Sequence, residues 1–548
     1  MKFKKSAIWI TLAIFCALGG GIYLGGLLAD SSLTRRLLMH NKLGVILDVI
    51  DNDYVDTLDI DDLTENAIYN IVGELDPHSA YISAADLKHF TEEMDGQFGG
   101  IGVSCFVFRD TLVIASVVHG GPASKAGIVP GDRLVSINGK MLTAEDRADE
   151  AAMLTFLRGE AGTTVELGIK HRNSKLKTVI PYSIRRDNIP QTTVKTAFQI
   201  ADGIGYIKIF DKFSHSTYDE FMQAAAELQA AGCTSFILDL RMNGGGAFEA
   251  AHKIVNEFLP ANQLIVTAKG RSFEPITSIS DGTGKFAYNP LVVLVDRMSA
   301  SASEIVAGAI QDNDRGLIVG RRTYGKGLVQ NQIELSDGSA VRLTVARYYT
   351  PSGRNIQRPY ELGKSDEYNQ EWLDQFESEE TAVTGEDDKP EAYKTLNNRT
   401  VYGSGGIVPD IFVPLDTAHR TAYYVTLEEN DVFNQFACEY VEQNRDVLNN
   451  FTEYPGLLDF LKTQQLLYKV VMYAETNGIR RRSLQINRCY MQILQSTYAC
   501  ILRTMHGEQA YYPVYLFGDP VITKAVQAIQ QGVAYPKAVA AMQYTALQ

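Results

Sequence analysis

The chain has 548 residues, 45% hydrophobic and 21% charged, with 51 Lys and Arg against 65 Asp and Glu for a formal net charge of −14. Such a composition can fill three or four packed units of about 100–200 residues each. The acidic balance argues against a nucleic-acid partner, because neutralising phosphate takes clustered Lys and Arg. The six cysteines (Cys16, Cys105, Cys233, Cys438, Cys489 and Cys500) form no CxxC pair and no Cys/His cluster with metal-ligand spacing, so neither a structural metal nor a cofactor is expected. Cys489 and Cys500, 11 residues apart in helical segments, leave a disulfide open.

Lys2, Lys4 and Lys5 precede an apolar run from Ala7 to Leu28. At 1.5 Å per residue this run just spans about 30 Å of hydrocarbon. A cleaved signal peptide and an uncleaved signal anchor compete for segment 1–30. Leu27 at the −3 position fits the small-residue cleavage rule poorly, which favours the anchor. Positive charge before the run and Asp30 after it place the body of the protein outside the cytoplasm, in the cell envelope.

Residues 31–95 read as a helical region. Met39, Leu43, Ile46, Leu47 and Ile50 recur at helical spacing, and Asp61-Asp62 opens a second helical run through Val72. From residue 96 to 187 the texture is glycine-rich with short strands, punctuated by turn signals at Gly120-Gly121-Pro122 and Pro130-Gly131-Asp132. Residues 188–420 alternate strand and helix: strands at Gly205–Phe210, Ser235–Leu240 and Leu291–Val295, helices at Thr217–Ala231, Phe248–Phe258 and Ser303–Gln311. That order predicts a layered α/β domain. Within it, 361–398 is dominated by Glu, Asp, Lys, Asn and Thr and reads as a solvated, acidic insertion. Residues 421–548 read as an all-helical domain, with self-association or shielding of an active site as the roles open to it.

The segment 98–187 resembles a PDZ domain. The likeness rests on Gly100-Ile101-Gly102-Val103, on Gly121-Pro122-Ala123-Ser124-Lys125-Ala126-Gly127, and on Pro130-Gly131-Asp132-Arg133-Leu134 running to Asn138-Gly139. Glycines that let successive N–H groups face one concavity suit a C-terminal carboxylate, and the strand that follows offers an edge for an added peptide strand.

Three stretches carry the chemistry. Phe236–Leu240 is a buried-strand pattern running into Arg241-Met242-Asn243-Gly244-Gly245-Gly246 ahead of a helix. Backbone N–H groups exposed at such a turn suit an oxyanion. The spacing is not that of a phosphate-binding loop, with neither GxxxxGK[ST] nor GxGxxG present. The second stretch is Ser299-Ala300-Ser301-Ala302-Ser303-Glu304, where a strand gives way to a helix. One serine there serves as a helix cap; a serine at a strand-to-helix turn also presents its hydroxyl beside free N–H donors. The third is Thr323-Tyr324-Gly325-Lys326-Gly327-Leu328-Val329-Gln330. A desolvated lysine loses its proton readily and then serves as a base, and an amide four residues on can orient the amine.

Together with Gly405-Gly406-Ile407-Val408-Pro409-Asp410, these stretches resemble the carboxyl-terminal processing peptidases, or tail-specific proteases, over roughly residues 40–418. The resemblance implies a crotonase/ClpP-like layered α/β protease core with an inserted PDZ domain. It implies Ser301 as nucleophile, Lys326 as general base and Gln330 as the group that positions it. The oxyanion hole would take the amide of Ala302 and one from Gly245 or Gly246. Gly100, Ile101, Gly102 and Val103 would hold the C-terminus of a protein substrate. Relatives often carry Asn or Gly ahead of the serines, where this chain has Asp296-Arg297-Met298. Two other classes compete with a serine endopeptidase. One is a non-catalytic PDZ scaffold, against which the retained Ser, Lys and Gln argue. The other is a thioester hydrolase or hydratase, against which the PDZ segment argues.

Overall fold

The computed structural model describes residues 42–108, 111–143, 155–171, 178–377, 391–416 and 418–534. The apolar run 7–28, and the anchor read from it, lie outside these residues. Among the described residues no helix is long and apolar enough to cross a membrane.

The N-terminal region holds α1 (Lys42–Asp53), α2 (Ile60–Gly73), the short strand β1 (Ala80–Ile82) and α3 (Ala84–Asp95). Asp59 caps α2 by accepting the N–H groups of Asp61 and Asp62. Gly96, at φ 67°, ends α3 in the left-handed conformation, and β2 (Gln97–Gly100) leads away to the inserted domain. That domain is a sheet ordered β3 (Val103–Phe108), β4 (Thr111–Val117), β5 (Arg133–Ile137), β7 (Thr164–Lys170), β8 (Ile180–Arg185), with β6 (Lys140–Met141) on β5. β9 (Asp187–Pro190) returns antiparallel to β2, so the domain joins the rest through a two-stranded stem. Strand β3 lies at the end of the sheet order, with one edge unpaired among the described residues.

The α/β domain is built on a six-stranded sheet in the order β10 (Thr196–Ala201), β11 (Ile204–Lys208), β12 (Ser235–Asp239), β15 (Leu291–Val295), β16 (Leu317–Gly320), β21 (Ile411–Phe412). From β11 to β21 the strands are parallel. Every residue of β12 (SFILD) and β15 (LVVLV) is buried, as a parallel strand covered on both faces requires. One face is covered by α4 (Thr217–Ala230), α5 (Phe248–Phe258) and α6 (Ala302–Asp312), and all residues of α6 are buried. A second sheet brings together β1, β13 (Leu264–Lys269), β14 (Ile276–Ile279), β17 (Leu328–Glu334) and β18 (Ala340–Tyr349). Strand β1 pairs with β18, Ala80 opposite Arg342, so the N-terminal region is built into the second sheet of the α/β domain.

The acidic stretch departs from its reading as a solvated insertion. Ser365–Glu377 is a helix, α7, and β19 (Ala392–Lys394) pairs with β20 (Thr400–Tyr402). Its composition hides one apolar face: Tyr368 and Trp372, a helical turn apart, stand against Tyr324 and His78, and Tyr368 is buried. The rest of the expected insertion, 378–390, lies outside the described residues.

After residue 421 come α8 (Ala422–Glu429), α9 (Val432–Leu448), α10 (Tyr454–Lys462), α11 (Leu466–Thr476), α12 (Ser483–His506), α13 (Glu508–Tyr515) and α14 (Pro520–Gln530). Helices α8–α13 share a core of their own, whereas α14 packs Val521, Ile522 and Ala525 on the second face of the six-stranded sheet. Asp519 caps α14 and accepts from Arg241 Nη1 at 2.8 Å. The disulfide left open for Cys489 and Cys500 does not form. Both are buried free thiols on α12, about three turns apart, and burial pushes Cys500 up to about 12.

Candidate active site

Strands β12, β15 and β16 are parallel neighbours, so the loops leaving their carboxyl ends emerge side by side. These ends are where open α/β sheets carry ligands. The loop after β12 is Arg241–Gly246, the turn after β15 carries the three serines, and the loop after β16 runs to Lys326.

The three serines have different surroundings. Ser299 is fully buried; its Oγ donates to Leu240 O at 2.8 Å and accepts Asp296 N–H at 2.9 Å. Ser303 is fully buried too, donating to Asn243 Oδ1 at 2.8 Å. These two staple the serine turn to the glycine loop. Ser301 is half-buried at the start of α6, with φ 53° and ψ −112°, a conformation a non-glycine residue rarely holds. No hydrogen bond involves its hydroxyl among the described residues except within the helix cap.

Glu304 sits one turn into α6 with no exposed surface. Its Oε2 accepts the N–H of Ser301 at 2.9 Å and of Lys326 at 2.8 Å; its Oε1 accepts Gly325 N–H at 2.8 Å and Thr323 Oγ1 at 2.5 Å. One carboxylate oxygen therefore holds the backbones of serine and lysine together. Burial raises Glu304 to about 7, partly offset by its four donors. Tyr348 adds a second link, donating to Lys326 O at 2.7 Å and lying 3.3 Å from Ser301 O. The Gly405-Gly406-Ile407 stretch closes the loop from outside: Ile407 N–H donates to Thr323 Oγ1, and a Cβ on Gly406 would lie 2.4 Å from Thr323 O.

Lys326 is half-buried, and its Nζ donates to Gln330 Oε1 at 2.9 Å. Burial holds its amine below the ordinary lysine range and the Arg342 guanidinium lowers it further, against the opposing charges of Asp76 and Glu304. Gln330 lies on β17 at a bulge in its ladder with β18, opposite Thr344, and its Nε2 donates to the carbonyl of His78. His78 is driven down to about 4 by burial and by the nearby Lys326 charge, so its ring is neutral near pH 7.

The glycine loop lies directly against Ser301. A Cβ on Gly245 would be 2.7 Å from both Ala300 O and Ser301 Cβ, and 3.0 Å from Ala302 N. Gly245 N–H donates to Asn243 Oδ1 at 2.9 Å, and Gly244 N–H to Asp211 O at 2.8 Å. The N–H groups of Ala302 and Gly246 have no acceptor among the described residues. Gly246 bridges to Phe213, and a Cβ there would lie 2.2 Å from Phe213 O.

In the inserted domain Gly100 ends β2, Ile101 and Gly102 form the connecting loop, and Val103 opens β3. Gly102 has φ 77°, and the N–H groups of Ile101 and Gly102 make no hydrogen bond among the described residues. Free donors beside an edge strand are what carboxylate capture needs. Sequence reasoning did not single out Glu304, Thr323, Asp76 or His78. The S-x-x-E spacing from Ser301 to Glu304 was a usable sign for the first.

A model of peptidase family S41 matches residues 203–362, and a PDZ-domain model matches 113–170. A family of unknown function matches 423–507. The Carboxy-terminal-processing protease of Bartonella bacilliformis is 34% identical over 321 residues, covering 58% of this chain and 72% of that protein. The chain belongs to peptidase family S41. Within S41 it is a serine-type peptidase of the carboxy-terminal processing group, with a PDZ domain. Carboxy-terminal processing protease CtpB of Bacillus subtilis is 33% identical over 333 residues, covering 60% of this S41 peptidase and 67% of CtpB. Among solved structures, a photosystem II D1 C-terminal processing protease is 29% identical, with a TM-score of 0.33, covering 57% of this chain and 88% of that one.

Proposed function

We propose that this S41 peptidase cleaves protein substrates through a Ser301–Lys326 pair oriented by Gln330. Neutral Lys326 Nζ takes the Ser301 hydroxyl proton as Oγ attacks the scissile carbonyl carbon. The oxyanion is held by the N–H of Ala302 and that of Gly246, with Gly245 shaping the loop through Asn243. Lys326 then returns the proton to the departing amine, leaving an ester on Ser301. Water attacks the ester, giving its proton to Lys326, which passes it back to Oγ as the carboxylic acid product leaves. Ser301, Lys326 and water account for every proton, so the scheme takes no cofactor.

The observation that carries this reading is the single oxygen of Glu304 that accepts both Ser301 N–H and Lys326 N–H. Lys326 Nζ bonds to Gln330 Oε1, and proton transfer requires the Ser301 hydroxyl to come within hydrogen-bond reach of that amine. The PDZ domain captures the substrate's C-terminus at Gly100–Val103, with the peptide added along β3. The basic-then-apolar pattern of residues 2–28 supports an envelope location with the catalytic body outside the cytoplasm.

Cleavage of a peptide with a free apolar C-terminus tests the scheme. Ser301→Ala and Lys326→Ala should each abolish turnover while leaving binding of the tailed peptide intact. Retained turnover in either variant would remove that residue from the proposed chemistry. Comparing envelope-protein termini in cells carrying wild-type or Ser301→Ala enzyme would identify the substrates.

A further inference from the structure

The amide of Gln330 has two ends of similar shape and opposite character, and only its oxygen can accept from Lys326. A neutral amine can accept as well as donate, so in the form that acts as base Lys326 does not itself fix which end faces it. The decision comes from more than 250 residues earlier in the chain. The His78 carbonyl can only accept, so it takes the NH2 end of Gln330 and turns the oxygen towards Lys326 Nζ. That carbonyl belongs to a turn organised by one buried carboxylate. Asp76 Oδ1 accepts the N–H of His78 at 3.0 Å, the N–H of Ser79 at 3.1 Å and Thr344 Oγ1 at 2.9 Å; Oδ2 accepts Ser79 Oγ at 2.6 Å. Ser79 Oγ in turn accepts Thr344 N–H at 3.1 Å. Thr344 is the residue opposite Gln330 across the β17–β18 ladder, so the turn is pinned to the strand that faces Gln330.

We propose that Asp76 is a positioning residue of the peptidase site, fixing the His78 carbonyl so that Gln330 presents its oxygen, and not its NH2, to Lys326. With the amide reversed, an N–H would donate into the amine's lone pair, the pair that must take the serine proton. The turn from Asp76 to Ser79 thus makes the N-terminal region part of the catalytic machinery. This inference rests on the Ser–Lys–Gln reading above.

A double-mutant cycle on the full chain tests it, reading kcat, KM and Tm with a tailed fluorogenic peptide. Gln330→Ala and Asp76→Ala should each lower kcat about 10- to 100-fold with KM within about twofold. The double variant should be no slower than Gln330→Ala alone, because Asp76 acts through an amide no longer present. Asp76→Asn, which keeps an acceptor oxygen for the turn, should recover most of kcat. Thr344→Val cuts the pinning contact without removing a charge; it should show the same non-additivity and replaces Asp76→Ala if that variant does not fold. Losses that multiply in the double variant overturn the Asp76 assignment and leave the Ser–Lys–Gln reading standing. Wild-type kcat in Gln330→Ala sinks the role of Gln330 and the inference with it.

Discussion

Replacing Glu304 by glutamine keeps the shape of the buried side chain and removes its charge. All four groups that face the carboxylate are donors: Ser301 N, Lys326 N, Gly325 N and Thr323 Oγ1. An amide has one acceptor end. With its oxygen on Ser301 and Lys326, the NH2 faces Gly325 N–H and Thr323 Oγ1, so the Gly325 N–H and the Thr323 hydroxyl proton both lose their acceptor, each at a cost of about 1–3 kcal/mol. Against that cost stands the price of ionising a buried acid. The folded-state pKa is raised from 4.5 to about 7. The stability this group gives is therefore fully present below the unfolded value and lost as pH rises through the folded one. Between about pH 5 and about pH 8 the wild type loses roughly 2–3 kcal/mol from this group, and Glu304→Gln loses none of it. Urea unfolding of both proteins at the two pH values should show the variant gaining on the wild type by that amount. Because the Gly325–Lys326 loop loosens, kcat should fall about 10- to 100-fold at either pH. Parallel stability curves for the two proteins would refute this account of Glu304, as would a fully active variant.

Three further predictions follow from the same contacts. In the proposed scheme the neutral amine of Lys326 is the reactive form, so kcat/KM should rise with pH and level off below the ordinary lysine range; Arg342→Gln removes a charge that lowers the amine and should move that rise to higher pH, whereas a shift to lower pH would contradict the assignment. Gly245→Ala, at φ 98° with its Cβ 2.7 Å from Ser301 Cβ, should displace the glycine loop proposed to hold the oxyanion and cost about 10²–10³ in kcat, read in a single-turnover assay on the folded variant. Gly102→Ala, at φ 77° with its Cβ 3.2 Å from Val118 Cβ, should weaken capture of the C-terminus; KM for a tailed peptide should rise while kcat and cleavage of an untailed one stay near wild type.

The strands and helices of the catalytic layer were legible because their residues are buried on both faces or at one helical stripe, as in LVVLV at β15 and Phe248–Phe258 at α5. Ser301, Lys326 and Gln330 could be singled out from the sequence because each stands in a short stretch that carries the family resemblance, and the structure brings those stretches together. What completes the site could not be singled out. Asp76 and His78 reach Gln330 only because three residues of β1 pair with β18, and three residues carry no periodicity. Helix α7 was masked by an acidic composition whose single apolar face is Tyr368 and Trp372. The choice between Gly245 and Gly246 was open in the sequence because both are glycines in one loop; Gly246 is proposed because the Asn243 side chain takes the Gly245 N–H.

Mapping the adduct of a serine-reactive probe by peptide mass, in wild type and in Lys326→Ala, most directly tests the claim that Ser301 is activated by Lys326. The expected result is a single adduct on Ser301 in the wild type that is lost in Lys326→Ala. An adduct on Ser299 or Ser303, or labelling of Ser301 that is indifferent to Lys326, would contradict it.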